Sequence, residues 1–299
     1  MRHLLVDPLL FAAASDPAGR GWIEQIPSLI EELSRRWNLD IGKAPLGQGY
    51  HAVVLPARRG NDELALKLEW PQARTGGEVR ALTAWDGHGT VRLYEADTAL
   101  GALLLERLDS ARTLHSLPLG GAAVQAGRLL RRLMMPAPAG FPHVRAIAAD
   151  MASSLDARQS ALGNPIPRSW LDAARKLAED LARDAGETLL IHADLHYDNV
   201  LAGRGGEWVA IDPRPVAGEP EYAVPELMWT RIDEIGDDEG VRHLLASVVR
   251  HAGLDGERAR AWTIVRCVDY CLWGLEHGLT QDPPRCLRIL AALTEESPP

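Results

Sequence analysis

Apolar residues recur at the three- and four-residue spacing of an amphipathic helix in four parts of the chain. Because such a face has to be buried, each set predicts a helix, and we expect the first to pack on the N-terminal part of the fold. The sets are Ile23, Ile26, Ile30, Leu33 and Trp37; the run 124–134, ended by Pro136 and Pro138; Trp170, Ala174, Leu177 and Leu181; and the run 262–276. The stretch 140–167, rich in Ala, Gly, Pro and Ser, gives no prediction.

Short apolar runs bounded by turn residues predict strands. These runs are 65–68, 102–108, 188–191, 200–202 and 208–211. The last two are joined by the turn-forming residues 203–206 and should form a hairpin. Helices combined with short antiparallel pairs favour an α+β fold.

Polar side chains flank this hairpin. Asp194 and Asn199 lie five residues apart before it, and Asp212 follows its second strand. The loop before a hairpin and the residue after it lie at the same end, so we expect the three side chains to converge. A carboxylate can hold an acceptor hydroxyl while carboxylate and amide oxygens bind Mg²⁺, so the spacing predicts a phosphoryl-transfer site. The alternative is a polar loop with a capping Asp and a hydrogen-bonded Asn; His196 and Asp198 carry no weight alone.

A single lysine interrupts the apolar strand 65–68. Lys67 suits a cation held near nucleotide phosphates, although a lone lysine in a strand is more often solvent-facing. Glu78 lies eleven residues later, at the beginning of a helical stretch with Val79, Leu82 and Trp85. We therefore predict that Glu78 pairs with Lys67 and fixes its ammonium group. The alternative is an unpaired surface glutamate.

Two further segments are candidates for nucleotide binding. Gly47 and Gly49 precede a strand and could let backbone amides approach phosphate oxygens, although Gly-x-Gly also marks ordinary hairpins. The strand that ends near Glu106 leads through Leu108 into a connector. In a two-lobed kinase, backbone groups of that connector would bind adenine.

The chain resembles the aminoglycoside phosphotransferase family, and within it the streptomycin 6-phosphotransferase branch that is grouped with hydroxyurea kinases. The resemblance runs over nearly the whole chain from about Trp22. The stretches that carry it are LLERL (104–108), HADLHYDNVL (192–201), AIDPRP (210–215), GEP (218–220), WTRID (229–233) and LWGLEHG (272–278).

The resemblance implies a protein-kinase-like, two-lobed fold, with an N-terminal lobe at 1–108, a mostly helical C-terminal lobe at 109–299 and ATP between them. It implies an ATP- and Mg²⁺-dependent O-phosphotransferase, with Asp194 as proton acceptor and Asn199 and Asp212 as metal ligands. Streptomycin, at its 6-hydroxyl, would be the acceptor. The alternatives are a kinase for another small metabolite, such as hydroxyurea, an amino alcohol or a sugar amine, and a nucleotide-binding protein without turnover.

The chain departs from the kinase pattern in two places. Asp212 is followed by Pro213 and Arg214 where protein kinases have Asp-Phe-Gly, but the streptomycin branch also uses Asp-Pro. Many relatives have an acidic residue just after Gly-Glu-Pro that braces the catalytic loop, where this chain has Ala223. We expect either that Glu221 or Glu226 takes this role or that the loop is held less rigidly.

Composition and charge narrow the function classes. With 299 residues, 46% hydrophobic and 24% charged, the chain can bury a large core. The net charge of −9 argues against a nucleic-acid partner. No apolar run is long enough to span a bilayer and the N-terminus lacks a signal-peptide layout. Three cysteines in the C-terminal part are expected to be reduced, buried thiols of a cytoplasmic protein.

The acidic balance suits a cationic small-molecule acceptor. The densest acidic stretch, around Asp233, lies in the C-terminal half, where the family builds its acceptor pocket. On the predicted helix 262–276, Asp269 and Glu276 share a face with Trp273 and could bind a guanidinium or ammonium group. Helix packing with peripheral acids is the alternative. The sequence does not distinguish a monomer from a homodimer.

Overall fold

The computed structural model describes residues 17–42, 44–48, 52–70, 75–183 and 187–294. These residues divide into two compact units. The first contains the described residues up to Arg112 together with Leu201–Ile211, and the second contains Thr113–Val200 and the described residues from Asp212 onward. No helix in the described part of the chain is long and apolar enough to cross a membrane.

The first unit is built on an antiparallel sheet. Its strands are β1 (Asp40–Ile41), β2 (Gly47–Gln48), β3 (Ala52–Arg59), β4 (Asp62–Glu69), β5 (Leu93–Asp97) and β6 (Ala102–Glu106). The strand order is β1-β3-β4-β6-β5, and β2 pairs with β3. Helices α1 (Pro17–Arg36) and α2 (Thr75–Trp85) complete this part of the unit.

The two faces of β4 are buried against different partners. Leu64, Leu66 and Leu68 pack in one cluster with the apolar residues of α1, which confirms the predicted position of that helix. Ala65, on the opposite face, packs in a second cluster with Leu82 of α2. Side chains alternate along a strand, so Lys67 faces the same side as Ala65 and meets α2.

The predicted hairpin is present. Its strands are β9 (Val200–Ala202) and β10 (Trp208–Ala210), and they form a three-stranded sheet with β7 (Asp109–Thr113) in the order β10-β9-β7. The Gly203 amide donates to the Glu207 carbonyl at 2.8 Å and closes the turn. The sequence reasoning had placed this hairpin in the C-terminal lobe, whereas its residues 201–211 pack with the first unit.

The second unit is mostly helical. Its helices are α3 (Leu119–Leu133), α4 (Val144–Ala161), α5 (Arg168–Arg183), α6 (Val224–Trp229), α7 (Asp238–Ala252), α8 (Gly256–Glu276) and α9 (Asp282–Thr294). Strands β8 (Leu189–His192) and β11 (Pro215–Gly218) pair antiparallel. Helix α8 forms the centre of the core with side chains such as Trp262, Val265 and Val268, and α9 packs on it through Ile289 and Leu290. The three cysteines are free and buried, as predicted.

Helix α4 lies in the stretch 140–167, for which no element was predicted. Its buried side chains are Val144, Ala148, Met151, Leu155 and Gln159, which follow the spacing of a helix face. Alanines such as Ala146 and Ala149 lie on the exposed side, so the difference in hydrophobicity between the two faces is small. Gly218 shows how closely α4 is packed, because a Cβ at this residue would lie 2.2 Å from Cγ2 of Val144.

Candidate active site

Strand pairing brings the two predicted carboxylates to one end of the β8–β11 ribbon. Pro215 is opposite His192 in the register, and the Ala193 amide donates to the Arg214 carbonyl at 3.0 Å. Asp194 comes directly after this paired backbone on one strand, and Asp212 comes shortly before it on the other. The convergence was predicted from the hairpin, but the pairing that produces it is that of β8 with β11.

The segment 194–199 folds into a compact loop closed on the Asp194 carbonyl. That carbonyl accepts hydrogen bonds from the His196 amide at 3.1 Å and from Asn199 Nδ2 at 2.9 Å. The Asp194 amide in turn donates to Nδ1 of His192 at 3.3 Å. Because Asn199 uses its amide nitrogen for the loop, its amide oxygen is the atom left to bind a cation. The structure thus brings Asp194 and Asn199 together as predicted.

Asp212 has an unusual backbone conformation. Its φ of 55° lies in the left-handed region, which non-glycine residues adopt at some cost. Aspartate tolerates this region better than most residues do. Strain of this kind is concentrated at functional sites, where it fixes the direction of a side chain, and it agrees with a functional role for this carboxylate.

Arg214 is a neighbour of Asp194 that the sequence reasoning did not assign. Its Nε lies 3.1 Å from Oδ2 of Asp194, and the arginine is mostly exposed whereas the aspartate is largely covered. The ion pair holds one oxygen of the proposed proton acceptor. Its position two residues after Asp212 was the only signal in the sequence.

A buried ion pair lies near the catalytic loop. Arg266 Nη2 donates to Oε1 of Glu226 at 2.6 Å, and Arg266 Nη1 donates to the Tyr222 carbonyl at 2.9 Å. Burial raises the pKa of Glu226, the charge of Arg266 opposes this, and the negative charge of Asp194 adds to it. Glu226 is therefore within electrostatic range of the loop.

Ala223 is fully buried in the short 3₁₀ helix Pro220–Ala223. Glu221, one candidate for the missing brace, accepts a hydrogen bond from the Asp255 amide at 3.0 Å, just before α8. The loop itself is attached to α6 by the Tyr197 hydroxyl, which donates to the Leu227 carbonyl at 3.1 Å.

In the first unit, Lys67 and Glu78 form the predicted pair. Lys67 Nζ lies 2.7 Å from Oε2 of Glu78, and both side chains are almost completely buried. The solvent-facing alternative for Lys67 is therefore wrong. The function of the pair toward a nucleotide stays a prediction.

The positions of the other residues predicted to bind the nucleotide do not test that prediction. Gly47 lies in β2 opposite Val54, and Gly49 lies outside the described residues. Glu106 ends β6, where its amide donates to the Arg92 carbonyl at 2.8 Å. Leu108 is buried in the cluster that contains Leu82.

The three predicted acceptor residues are all paired with arginines. Arg158 of α4 donates to Oδ1 of Asp269 at 2.6 Å and, through Nε and Nη2, to Glu276 at 2.7 and 3.0 Å. These bonds hold the pKa of Glu276 below its usual value. Asp233 instead pairs with Arg285 and lines a surface cavity of about 480 Å³. The structure thus brings Asp269 and Glu276 together and places Asp233 on a different arginine.

The same face of α8 carries a stack of aromatic rings that the sequence reasoning did not detect. Trp229 stacks on Tyr270, Tyr270 on Trp273, and Trp273 on His277, with centroid separations of 4.8, 5.6 and 4.3 Å. Trp273 is 41% exposed, so the stack extends from a buried indole to the surface beside the two carboxylates.

Comparison with solved structures identifies the fold. The chain superposes on a thermostable mutant of aminoglycoside phosphotransferase APH(4)-Ia, in ternary complex with ADP and hygromycin B, with a TM-score of 0.62 and 16% identity over 89% of this chain and 99% of the other. The protein-kinase-like α+β fold is thereby confirmed.

Residues 36–278 match the family of aminoglycoside/hydroxyurea antibiotic resistance kinases, and the chain belongs to that family. It is 36% identical to streptomycin 6-kinase of Streptomyces glaucescens over 95% of this chain and 94% of the relative. It is 41% identical to hydroxyurea phosphotransferase of Kitasatospora aureofaciens over 92% of this chain and 81% of the relative.

Proposed function

We propose that this protein is an ATP- and Mg²⁺-dependent O-phosphotransferase that phosphorylates the 6-hydroxyl of streptomycin in the cytoplasm. The observation that carries the proposal is the closed loop in which Asn199 Nδ2 binds the Asp194 carbonyl, at the end of the ribbon that also leads to Asp212. Similarity to streptomycin 6-kinases over nearly the whole length of both chains supports this acceptor.

Asp194 would accept the proton of the acceptor hydroxyl. Its Oδ2 binds Arg214, so Oδ1 is the oxygen that we assign to the hydroxyl. The hydrogen bonds of the loop fix the backbone of Asp194, which limits the positions that a bound hydroxyl can take. Positioning of this kind supplies much of the rate enhancement in phosphoryl transfer.

Asn199 and Asp212 would hold Mg²⁺. An amide oxygen and a carboxylate fit this hard cation, which takes its other ligands from phosphates and water. When bound, the metal would stabilise the negative charge of the phosphoryl group that is being transferred. Lys67, oriented by Glu78 at 2.7 Å, would bind the phosphates, and the segments at Gly47, Gly49, Glu106 and Leu108 would contact the nucleotide.

Asp269 and Glu276 are proposed to bind a cationic group of the acceptor, next to the exposed ring of Trp273. The supporting observation is that these two carboxylates bind a guanidinium group, that of Arg158. Streptomycin carries two guanidinium groups, and paired carboxylates are the preferred partners of this group. One guanidinium group of streptomycin would replace the Arg158 side chain on these carboxylates. We assign Asp233 to the edge of the same acceptor site.

The second candidate acceptor is hydroxyurea. It is favoured by the 41% identity to hydroxyurea phosphotransferase. Hydroxyurea is small and uncharged, so its binding does not require Asp269 or Glu276.

ATP consumption measured against streptomycin, hydroxyurea, another aminoglycoside and a small amino alcohol tests the proposal. We expect turnover with streptomycin and a product phosphorylated at the 6-hydroxyl, identified by NMR. Turnover with hydroxyurea alone would transfer the assignment to the second candidate. Consumption that no acceptor stimulates would reject a kinase function toward these compounds.

A further inference from the structure

The stretch Trp229–Asp233 is one of those that carry the family resemblance, and only its last residue, Asp233, has a role in the function proposed above. Its arginine, Arg231, is the informative residue. The side chain is only 5% exposed. Burial of a guanidinium group is costly unless several partners satisfy it, so its contacts indicate what the group is for.

Arg231 contacts three separate segments of the second unit. Its Nη1 donates to the Leu117 carbonyl at 3.0 Å, next to the 3₁₀ helix Leu114–Ser116. Its Nε and Nη2 donate to the two carboxylate oxygens of Glu234 at 2.5 and 2.7 Å, a two-pronged contact that fixes the plane of the guanidinium. Its Cζ lies 5.2 Å from the centroid of the Tyr197 ring, within the range of a cation–π contact. The pairing with Glu234 alone would not require burial.

Leu195 and Tyr197 are the completely buried side chains of the loop 194–199, and Tyr197 is the one with a cationic and a hydrogen-bonding partner. The ring face contacts Arg231, and the hydroxyl donates to the Leu227 carbonyl at 3.1 Å. Arg231 therefore contacts the face of the ring, and the Leu227 carbonyl binds its hydroxyl group.

The internal hydrogen bonds of the loop determine its conformation but not its position relative to the rest of the second unit. Asn199 and His196 both donate hydrogen bonds to the Asp194 carbonyl, which ties residues 194–199 to one another. The Asp198 carboxylate lies 3.3 Å from His115 of the 114–116 turn, but both side chains are about half exposed. Leu195 attaches the loop by apolar burial and Tyr197 attaches it by directional contacts. Displacement of a catalytic group by about 1 Å can lower a rate by about 100-fold.

We propose that Arg231 is a positioning residue that sets the Asp194 carboxylate through the ring of Tyr197. The proposal rests on the assignment of Asp194 as proton acceptor. It gives Arg231 of the WTRID stretch a function and supplies a brace for the loop 194–199.

Arg231→Met tests the proposal, with Arg288→Met as the matched control. Arg288 of α9 donates to the carbonyls of Ile232 and Ile235, so it anchors the same 3₁₀ segment without touching Tyr197. We expect Arg231→Met to lower kcat roughly tenfold or more while KM for ATP stays unchanged. Hydrogen exchange of the peptide 192–200 should become faster. The control should lose thermal stability without either effect.

Two conservative variants keep the test decisive if Arg231→Met does not fold. Tyr197→Phe retains the ring and loses the bond to Leu227, and Arg231→Lys retains the charge and loses the two-pronged contact with Glu234. Each should lower kcat less, and increase hydrogen exchange of 192–200 less, than Arg231→Met does. If Arg231→Met does not fold, Arg231→Ala replaces it in this comparison. If kcat and loop exchange in the Arg231 variants match those of the Arg288 control, the proposal is overturned.

The exchange measurement separates this inference from the proposed function. If the wild-type protein phosphorylates no acceptor, the proposed function fails. Faster exchange of 192–200 in the Arg231 variants would then still support the attachment of the loop by Arg231, and unchanged exchange would overturn it.

Discussion

At the scale of single residues, the site depends on side chains whose backbone is constrained more tightly than that of a surface loop. Asp194 is fixed by hydrogen bonds to its own carbonyl and amide, and Asp212 has a φ of 55°. These constraints direct the two carboxylates to defined places, which is how a phosphoryl-transfer enzyme reduces reorganisation during the reaction.

Asp212→Ala should weaken binding of Mg-ATP by tenfold or more, because the carboxylate that would bridge the metal to the phosphates is lost. The variant should also be slightly less stable than wild type, because alanine tolerates a left-handed φ less well than aspartate does. Calorimetric titration with Mg-ATP and with ATP in EDTA measures the effect. Equal Mg-ATP affinity in variant and wild type would show that Asp212 is structural.

Glu221→Gln should raise the melting temperature at pH 7 and leave it unchanged at pH 4. Burial raises the pKa of Glu221 above its ordinary value of 4.5. A raised folded-state pKa gives stability that is complete below the unfolded-state value and is lost as the pH rises through the folded-state value. The amide still accepts the hydrogen bond from Asp255 and has no charge to bury. A parallel pH dependence of the two melting curves would contradict this.

At the scale of elements, the period-2 alternation of β4 determines which face of the sheet Lys67 lies on. The strand places Lys67 on the face covered by α2, where Glu78 is one helical turn before Leu82. The pairing could be predicted from the sequence because a strand and a helix of ordinary geometry bring these two residues together. Its burial could not, because it depends on packing across the sheet.

Glu78→Gln should destabilise the protein by about 3–5 kcal/mol, because a buried ammonium group loses its carboxylate. The double variant Lys67→Met/Glu78→Leu should recover most of that stability and remain inactive, which separates the structural role of the pair from its role toward phosphates. Glu95→Gln, which breaks the more exposed pair with Arg59 in the same unit, serves as the control and should cost less than about 1 kcal/mol. Activity in the double variant would refute the assignment of Lys67.

Asp269→Asn and Glu276→Gln should each raise KM for streptomycin about tenfold and leave KM for ATP unchanged, because each removes a charge-assisted hydrogen bond to the acceptor. Asp172→Asn is the control, since Asp172 also pairs with arginine on the surface of the second unit. If KM for streptomycin is the same in all three variants, Asp269 and Glu276 serve only to hold Arg158.

At the scale of the whole molecule, the sequence predicted what local pattern and motif spacing can encode. The hairpin at 200–210, helix α1 and the loop from Asp194 to Asn199 all depend on short-range signals. Contacts between distant segments were not predictable. Arg158 binds Asp269 of α8, 111 residues later in the chain. Arg231 donates a hydrogen bond to the Leu117 carbonyl, which is also distant in the sequence. Asp237, close to the acidic stretch around Asp233, caps α7 by accepting a hydrogen bond from the Gly240 amide, a role that favours acids at a helix start.

In the proposed function, Asp194 accepts the proton of the streptomycin hydroxyl to which the phosphoryl group is transferred. The most direct measurement is the rate of streptomycin phosphorylation by the wild-type protein and by Asp194→Asn, with Mg-ATP affinity measured on both. We expect the variant to keep its fold and its Mg-ATP affinity and to lose two or more orders of magnitude in kcat. A correctly folded variant with near-normal turnover would contradict the account.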